Sequence, residues 1–235
     1  MRALALLSLL SLLGFGSAHA QQKADPYPAR APMEKYRIDR QTEVTMARTA
    51  APPSISADAE VMVLGDNGYE VAVKGKNGFV CFIERSWTAS FDDPEFWNPK
   101  VKAPNCFNPP AARSVLPHYI ERTKWIVAGL DRSQLTEKAR AALASGQLVP
   151  PEPGSFSFML SKESYLNDEV GGPGLPHVMF FVPHGQAATW AAGWEESPVF
   201  GVEASAVEPT VLFVPVRRWS DGSPGPATTD HSHHK

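Results

Sequence analysis

The densest set of chemically capable side chains lies between Trp87 and Trp97. Asp92, Asp93 and Glu95 stand there among two indoles, Phe91 and Phe96. Carboxylates beside aromatic faces suit a sugar: rings stack on it while acids do acid–base work. Trp87, Asp92, Asp93, Glu95 and Trp97 are therefore the candidate ligand-binding residues, with a glycosidase using Asp92, Asp93 or Glu95 as a rival. The acids resemble a calcium loop in composition but lack the ligand spacing of an EF-hand. The bland alternative is a set of solvated acids on a Trp-packed loop.

Other chemistries are more weakly supported. Gly154-Ser155-Phe156-Ser157-Phe158 holds two serines, and Asp168, Glu169 and His177 follow. These are the parts of an acyl hydrolase, but no Gly-x-Ser-x-Gly elbow positions a nucleophile, and most chains of this size contain such parts. No catalytic residue is assigned. There is no His-Glu-x-x-His, and two cysteines are too few for a structural zinc site. His177 and His184 are seven residues apart, up to ~20 Å on an extended chain, and read as isolated surface or capping histidines. His231, His233 and His234 are the one weak metal-binding alternative. Gly171-Gly172-Pro173-Gly174 lacks the following Lys of a phosphate loop. No cofactor is expected.

The elements around these residues can be read from periodicity and punctuation. Met33 to Ala51 predicts a surface helix, stopped by Pro52-Pro53, with Tyr36, Val44 and Ala47 facing inward. Glu60–Leu64, Tyr69–Lys74 and Gly78–Glu84 are β-rich. The connections Gly65-Asp66-Asn67-Gly68 and Gly75-Lys76-Asn77-Gly78 carry Asn-Gly turn signals, so a three-stranded antiparallel meander is expected. Residues 85–110 read as a long irregular loop, a length that implies function or bracing. Helices are predicted over 111–128, with a restart at Pro117, and over 133–145. Short helices are expected near 161–166 and 186–192. Strands follow at 155–160, 177–182 and 210–217, with an edge strand at 199–202. Strands before and after a helical block define an α+β fold: an antiparallel sheet covered by helices.

The first 20 residues read as an export signal. Arg2 is followed by an apolar run from Ala3 to Leu13 and by Ala18-His19-Ala20, which fits small-x-small cleavage. That run is shorter than the roughly 20 residues a membrane span needs. Without residues 1–20 the chain has 21 basic and 25 acidic residues, a net charge of −4, which argues against nucleic acid as partner. In an oxidising compartment the two cysteines, Cys81 and Cys106, are expected to pair. Their bridge would brace the aromatic loop. The domain reading is a signal peptide at 1–20, a Pro-containing flexible arm at 21–32, one α+β domain at 33–219 and a disordered His-containing tail at 220–235.

The stretch Ala47-Arg48-Thr49-Ala50-Ala51-Pro52-Pro53-Ser54-Ile55-Ser56-Ala57-Asp58-Ala59, running into Asn77-Gly78-Phe79-Val80-Cys81, resembles a pattern in uncharacterised bacterial exported proteins. The resemblance extends to Pro104-Asn105-Cys106 and Met179-Phe180-Phe181-Val182-Pro183. It implies bacterial export, to the periplasm or outside the cell, and transfers no activity or site residue. The expected function is non-enzymatic binding of a small ligand, glycan or envelope protein through the loop from Trp87 to Cys106. A secreted hydrolase and a structural envelope protein are the alternatives.

Overall fold

A computed structural model describes residues 26–203 and 205–226 of the 235-residue chain. The expected signal peptide, the start of the arm, and His231, His233 and His234 lie outside the described residues. Among the described residues no helix is long and apolar enough to cross a membrane.

The fold is α+β. Eight strands form one mixed sheet: β1 (Glu60–Gly65), β2 (Gly68–Val73), β3 (Val80–Glu84), β4 (Ala103–Phe107), β5 (Phe156–Met159), β6 (His177–Val182), β7 (Phe200–Val202) and β8 (Thr210–Pro215). Their order is β2-β1-β3-β4-β5-β6-β8-β7. The expected meander is not formed. β1 and β2 make a tight hairpin around Asp66-Asn67, with Gly68 at φ +110° as the turn demands. The chain then crosses the end of β1, and β3 runs parallel to β1 on its other side. Gly75 makes the crossing: a Cβ there would lie 2.2 Å from Glu60 N. Only glycine allows so close a backbone approach. Asn77 marks this crossover rather than a hairpin, donating to Ile55 O and accepting from Phe79 N.

The loop of 85–110 contains a strand the sequence conceals. β4 carries Pro104 and Asn105, poor strand formers. It pairs with β3 over its whole length but with β5 only at Cys106 and Phe107. The missing N–H of Pro104 therefore falls where β4 has no β5 partner. Cys81 and Cys106 are directly opposite in this ladder and form the disulfide.

Alternation along β3 and β4 sorts the core into two layers. Val80, Phe82 and Phe107 face one side; Cys81, Ile83 and Cys106 face the other. Helix α1 (Arg40–Arg48), N-capped by Asp39, covers the second side with Ala47 and the buried Glu43. It is followed by α2 (Pro53–Ser56); the helix expected over 33–51 is a single 3₁₀ turn at Met33–Lys35 and the shorter α1. Glu43 pairs with Arg85 at 2.8 Å, both fully buried. The first side carries α3 (Pro109–Ser114), α4 (Leu116–Val127) and α5 (Arg132–Ala144), broken at Val115 ahead of Pro117 and at Gly129. The expected helix near 161–166 is a turn and an isolated bridge; that near 186–192 is a single 3₁₀ turn.

Two boundaries shift. The described part of the arm is anchored: Tyr27 donates to Asp168, and Tyr27 and Ala31 pack on the core. The tail does not begin at 220. Asp221 pairs with Lys162 and caps the turn at Ser223, while Ser220 N donates to Leu160 O.

Candidate functional site

The aromatic loop does frame a cavity, though not with its indoles. Trp87 is fully buried, and its Nε1 donates to Thr123 Oγ1 at 3.0 Å. Trp97 packs edge-on against Phe96. Neither lines the cavity, so neither is a stacking platform. Both rings are buried in the core, and Trp87 has a hydrogen-bond partner for its Nε1 there.

The cavity, about 470 Å³, lies between this loop and the helix-covered face of the sheet. Its volume is in the range of small-molecule sites. The floor comes from strand residues of one parity: Glu84 on β3, Ala103 on β4, Met159 on β5, His177 and Met179 on β6, Val211 and Phe213 on β8. The pairings Glu84↔Ala103, Met159↔His177 and Met179↔Phe213 put these side chains on one face. The walls are residues 88–90, Asp93 and Glu95 from the loop, His118, Tyr119 and Arg122 from α4, and Leu166 and Glu208.

The three acids of the loop have different roles. Asp92 does not line the cavity and accepts from Ser90 Oγ. Asp93 lines it, accepts from Glu95 N at 2.6 Å, and burial pushes its carboxyl up. Glu95 also lines it, but both its oxygens accept from Asp168 N at 3.0 Å, and Oε2 accepts from Asn98 Nδ2. Asp168 in turn accepts from Lys100 Nζ, Tyr27 Oη and Tyr165 Oη, which hold its carboxyl below the usual range. Glu95 thus ties the Gly/Pro loop after Leu166 to the aromatic loop.

Two buried groups dominate the site. Glu84 accepts from Asn105 Nδ2 at 2.6 Å and from Thr88 Oγ1 at 3.2 Å. Desolvation outweighs these bonds and pushes its carboxyl up to about 7. His177, a surface or capping residue by sequence, is instead 9% exposed. Its Nδ1 meets Leu175 O at 2.7 Å. A carbonyl only accepts, so Nδ1 carries the proton and Nε2 keeps its lone pair. Nε2 is buried and has no partner. Desolvation lowers its basicity and that of His118, whose Nε2 donates to Val149 O.

Arg122 clamps the rim. It donates to Trp87 O, Ala89 O and Glu208 Oε1, and lies 4.0 Å from the Phe91 ring centroid. No hydrolase triad assembles around the two serines. Ser157 Oγ and His177 Nε2 each lack a partner, so no hydrogen bond joins them, and Ser155 Oγ meets Ser114 Oγ. His184 lies elsewhere, 3.6 Å from Glu203. Among the described residues no cluster of His, Cys, Asp and Glu could hold a metal ion.

Sequence reasoning missed Glu84, His118, Tyr119, Arg122 and Glu208. One signal for Glu84 was legible: it is in phase with Val80 and Phe82, a charge on an apolar stripe. His177 is likewise in phase with Met179 and Phe181. No protein-family model, curated protein or solved structure matches the chain.

Proposed function

We propose that this chain is an exported, non-enzymatic binding protein that takes a small organic ligand into the cavity between the aromatic loop and the sheet. The observation that carries the reading is the largely apolar cavity itself, lined by His177, whose buried Nε2 has no partner, and elsewhere by Glu84. A buried acceptor without a partner costs roughly 1–3 kcal/mol, a cost that a ligand donor would remove. The disulfide and the signal-like residues 1–20 support export to the periplasm or beyond, as does the resemblance to exported bacterial proteins.

A thermal-shift screen of small organic molecules, repeated on Val211→Trp, tests it. Val211 lines the cavity and is half-buried, so an indole there would fill the space from β8. Ligands that stabilise the protein are expected to lose their effect in the variant. Ligands that stabilise both equally would place the binding site elsewhere.

A further inference from the structure

We propose that residues 167–176 form a lid at the mouth of this cavity, latched by Glu95 and opened when the Asp168 backbone N–H leaves that carboxylate. The lid controls access to the small-ligand site, so its purpose rests on that reading.

Burial locates the mouth. Glu84, Ala103, Met159 and Met179 on the floor, and His118 and Arg122 on α4, are at most 9% exposed. The half-buried lining lies mostly on the aromatic loop, at Leu166 and Asn167, and at Val211 and Phe213 on β8. The cavity thus meets solvent between those three borders. Two of them are firmly held. β8 is paired with β6 over its whole length, and the aromatic loop is pinned by the buried rings of Trp87, Phe91, Phe96 and Trp97.

The third border is held differently. No residue from 167 to 175 is buried, and Val170 is 49% exposed. A Cβ added to Gly171 or Gly172 would meet nothing within 4 Å, so the tip of the segment stands clear of the fold. Its backbone bonds, Leu166 N to Gly172 O and Gly171 N to Asn167 O, close the segment on itself. Its hydrogen bonds to the aromatic loop and to the arm all run through Asp168. The backbone N–H of Asp168 reaches both oxygens of Glu95 at 3.0 Å, and its carboxylate accepts from Asn98 Nδ2, Lys100 Nζ and Tyr27 Oη. The bonds to Glu95, Lys100 and Tyr27 lie at the exposed surface. Water can take over each bond of such a clasp, so opening it costs little beside breaking a buried network. A segment with few buried contacts and solvent-exposed bonds opens locally while the rest stays folded. Glu95 lines the cavity and holds the clasp at once, which makes it the latch.

Both native cysteines are in the disulfide, so a cysteine placed on the floor is read without background. The Met179→Cys protein is treated with iodoacetamide, and alkylation is followed by mass spectrometry, with and without Glu95→Ala. Leu212→Cys, fully buried on the opposite face of the sheet, reports loosening of the whole fold. Alkylation slower than reclosing follows the population of the open form. Glu95→Ala is expected to speed alkylation at Met179→Cys about tenfold, a gain of about 1.4 kcal/mol for the open form, and to leave Leu212→Cys unchanged. Glu95→Gln should fall between, because one oxygen can still accept from Asp168 N. If Met179→Cys does not fold, Met159→Cys on the neighbouring strand carries the same test. Equal rates with and without Glu95→Ala overturn the lid. So does equal acceleration at Leu212→Cys, or a floor thiol that already reacts in the latched protein as fast as in the urea-unfolded chain. These rates are measured without ligand, so failure of the lid is told apart from failure of the small-ligand reading.

Discussion

Glu84→Gln should change how stability depends on pH, and the sign follows from burial. Glu84 has an ordinary value of 4.5 when unfolded and about 7 in the fold, because desolvation favours the neutral acid. Between those values the folded state binds a proton that the unfolded state has released. The stabilising contribution is therefore complete below about pH 4.5 and is lost as pH rises through about 7. A tenfold change in proton affinity is worth about 1.4 kcal/mol, so the loss amounts to about 3 kcal/mol. The amide mimics the protonated acid without titrating. Its oxygen can accept from Asn105 Nδ2, and its Nε2 can donate to Thr88 Oγ1, whose own hydrogen is free for Arg85 O at 2.8 Å. His118, His177 and Asp93 also titrate away from their ordinary values, but they are common to both proteins. The quantity to measure is the difference in unfolding free energy by urea titration between pH 5 and 8. Over that window it should move by about 2.5 kcal/mol in favour of Glu84→Gln as pH rises, the rest of the loss falling below pH 5. A difference flat to within about 0.5 kcal/mol would refute the claim that burial holds this carboxyl near neutrality.

Two further outcomes are expected. Replacing both cysteines by Ala should lower stability by about 3 kcal/mol, since the bridge closes a loop spanning 25 positions; equal midpoints for both proteins in urea would contradict it. Arg85→Met should cost about 3–5 kcal/mol, because it strands the buried Glu43 carboxylate, whose Oε1 otherwise receives Arg85 Nη2 and Leu64 N. Arg85→Met combined with Glu43→Leu should recover most of that loss, and a double variant no more stable than the single one would argue against a stranded charge.

Local order was readable wherever one short-range rule dominated. The hairpin at Asp66-Asn67, the breaks at Pro117 and Gly129, the alternation in β5 and the apolar run of β6 are all local, and all appear where patterning places them. The failures share a cause as well. β4 carries Pro104 and Asn105, and only its pairing with β3 makes it a strand. The Gly75-to-Gly78 turn signal is genuine, yet the close approach to Glu60 makes it a crossover. Trp87 and Trp97 read as a binding surface because their type is informative and their burial is not.

By composition and pattern alone, this chain determined an α+β fold, its disulfide and the loop on which a site would be built. Those follow from periodicity, turn residues and the pairing of the two cysteines. Tertiary structure alone decided which acids face a cavity. Asp92 turns away, Glu95 is occupied by Asp168 N, and Glu84, unremarked in sequence, lines the cavity beside the aromatic loop. A side chain's chemistry is set by what desolvates it and what it bonds to. For Glu84 and His177 those neighbours come from β4, α4 and the loop at Leu175, brought together only when the sheet closes.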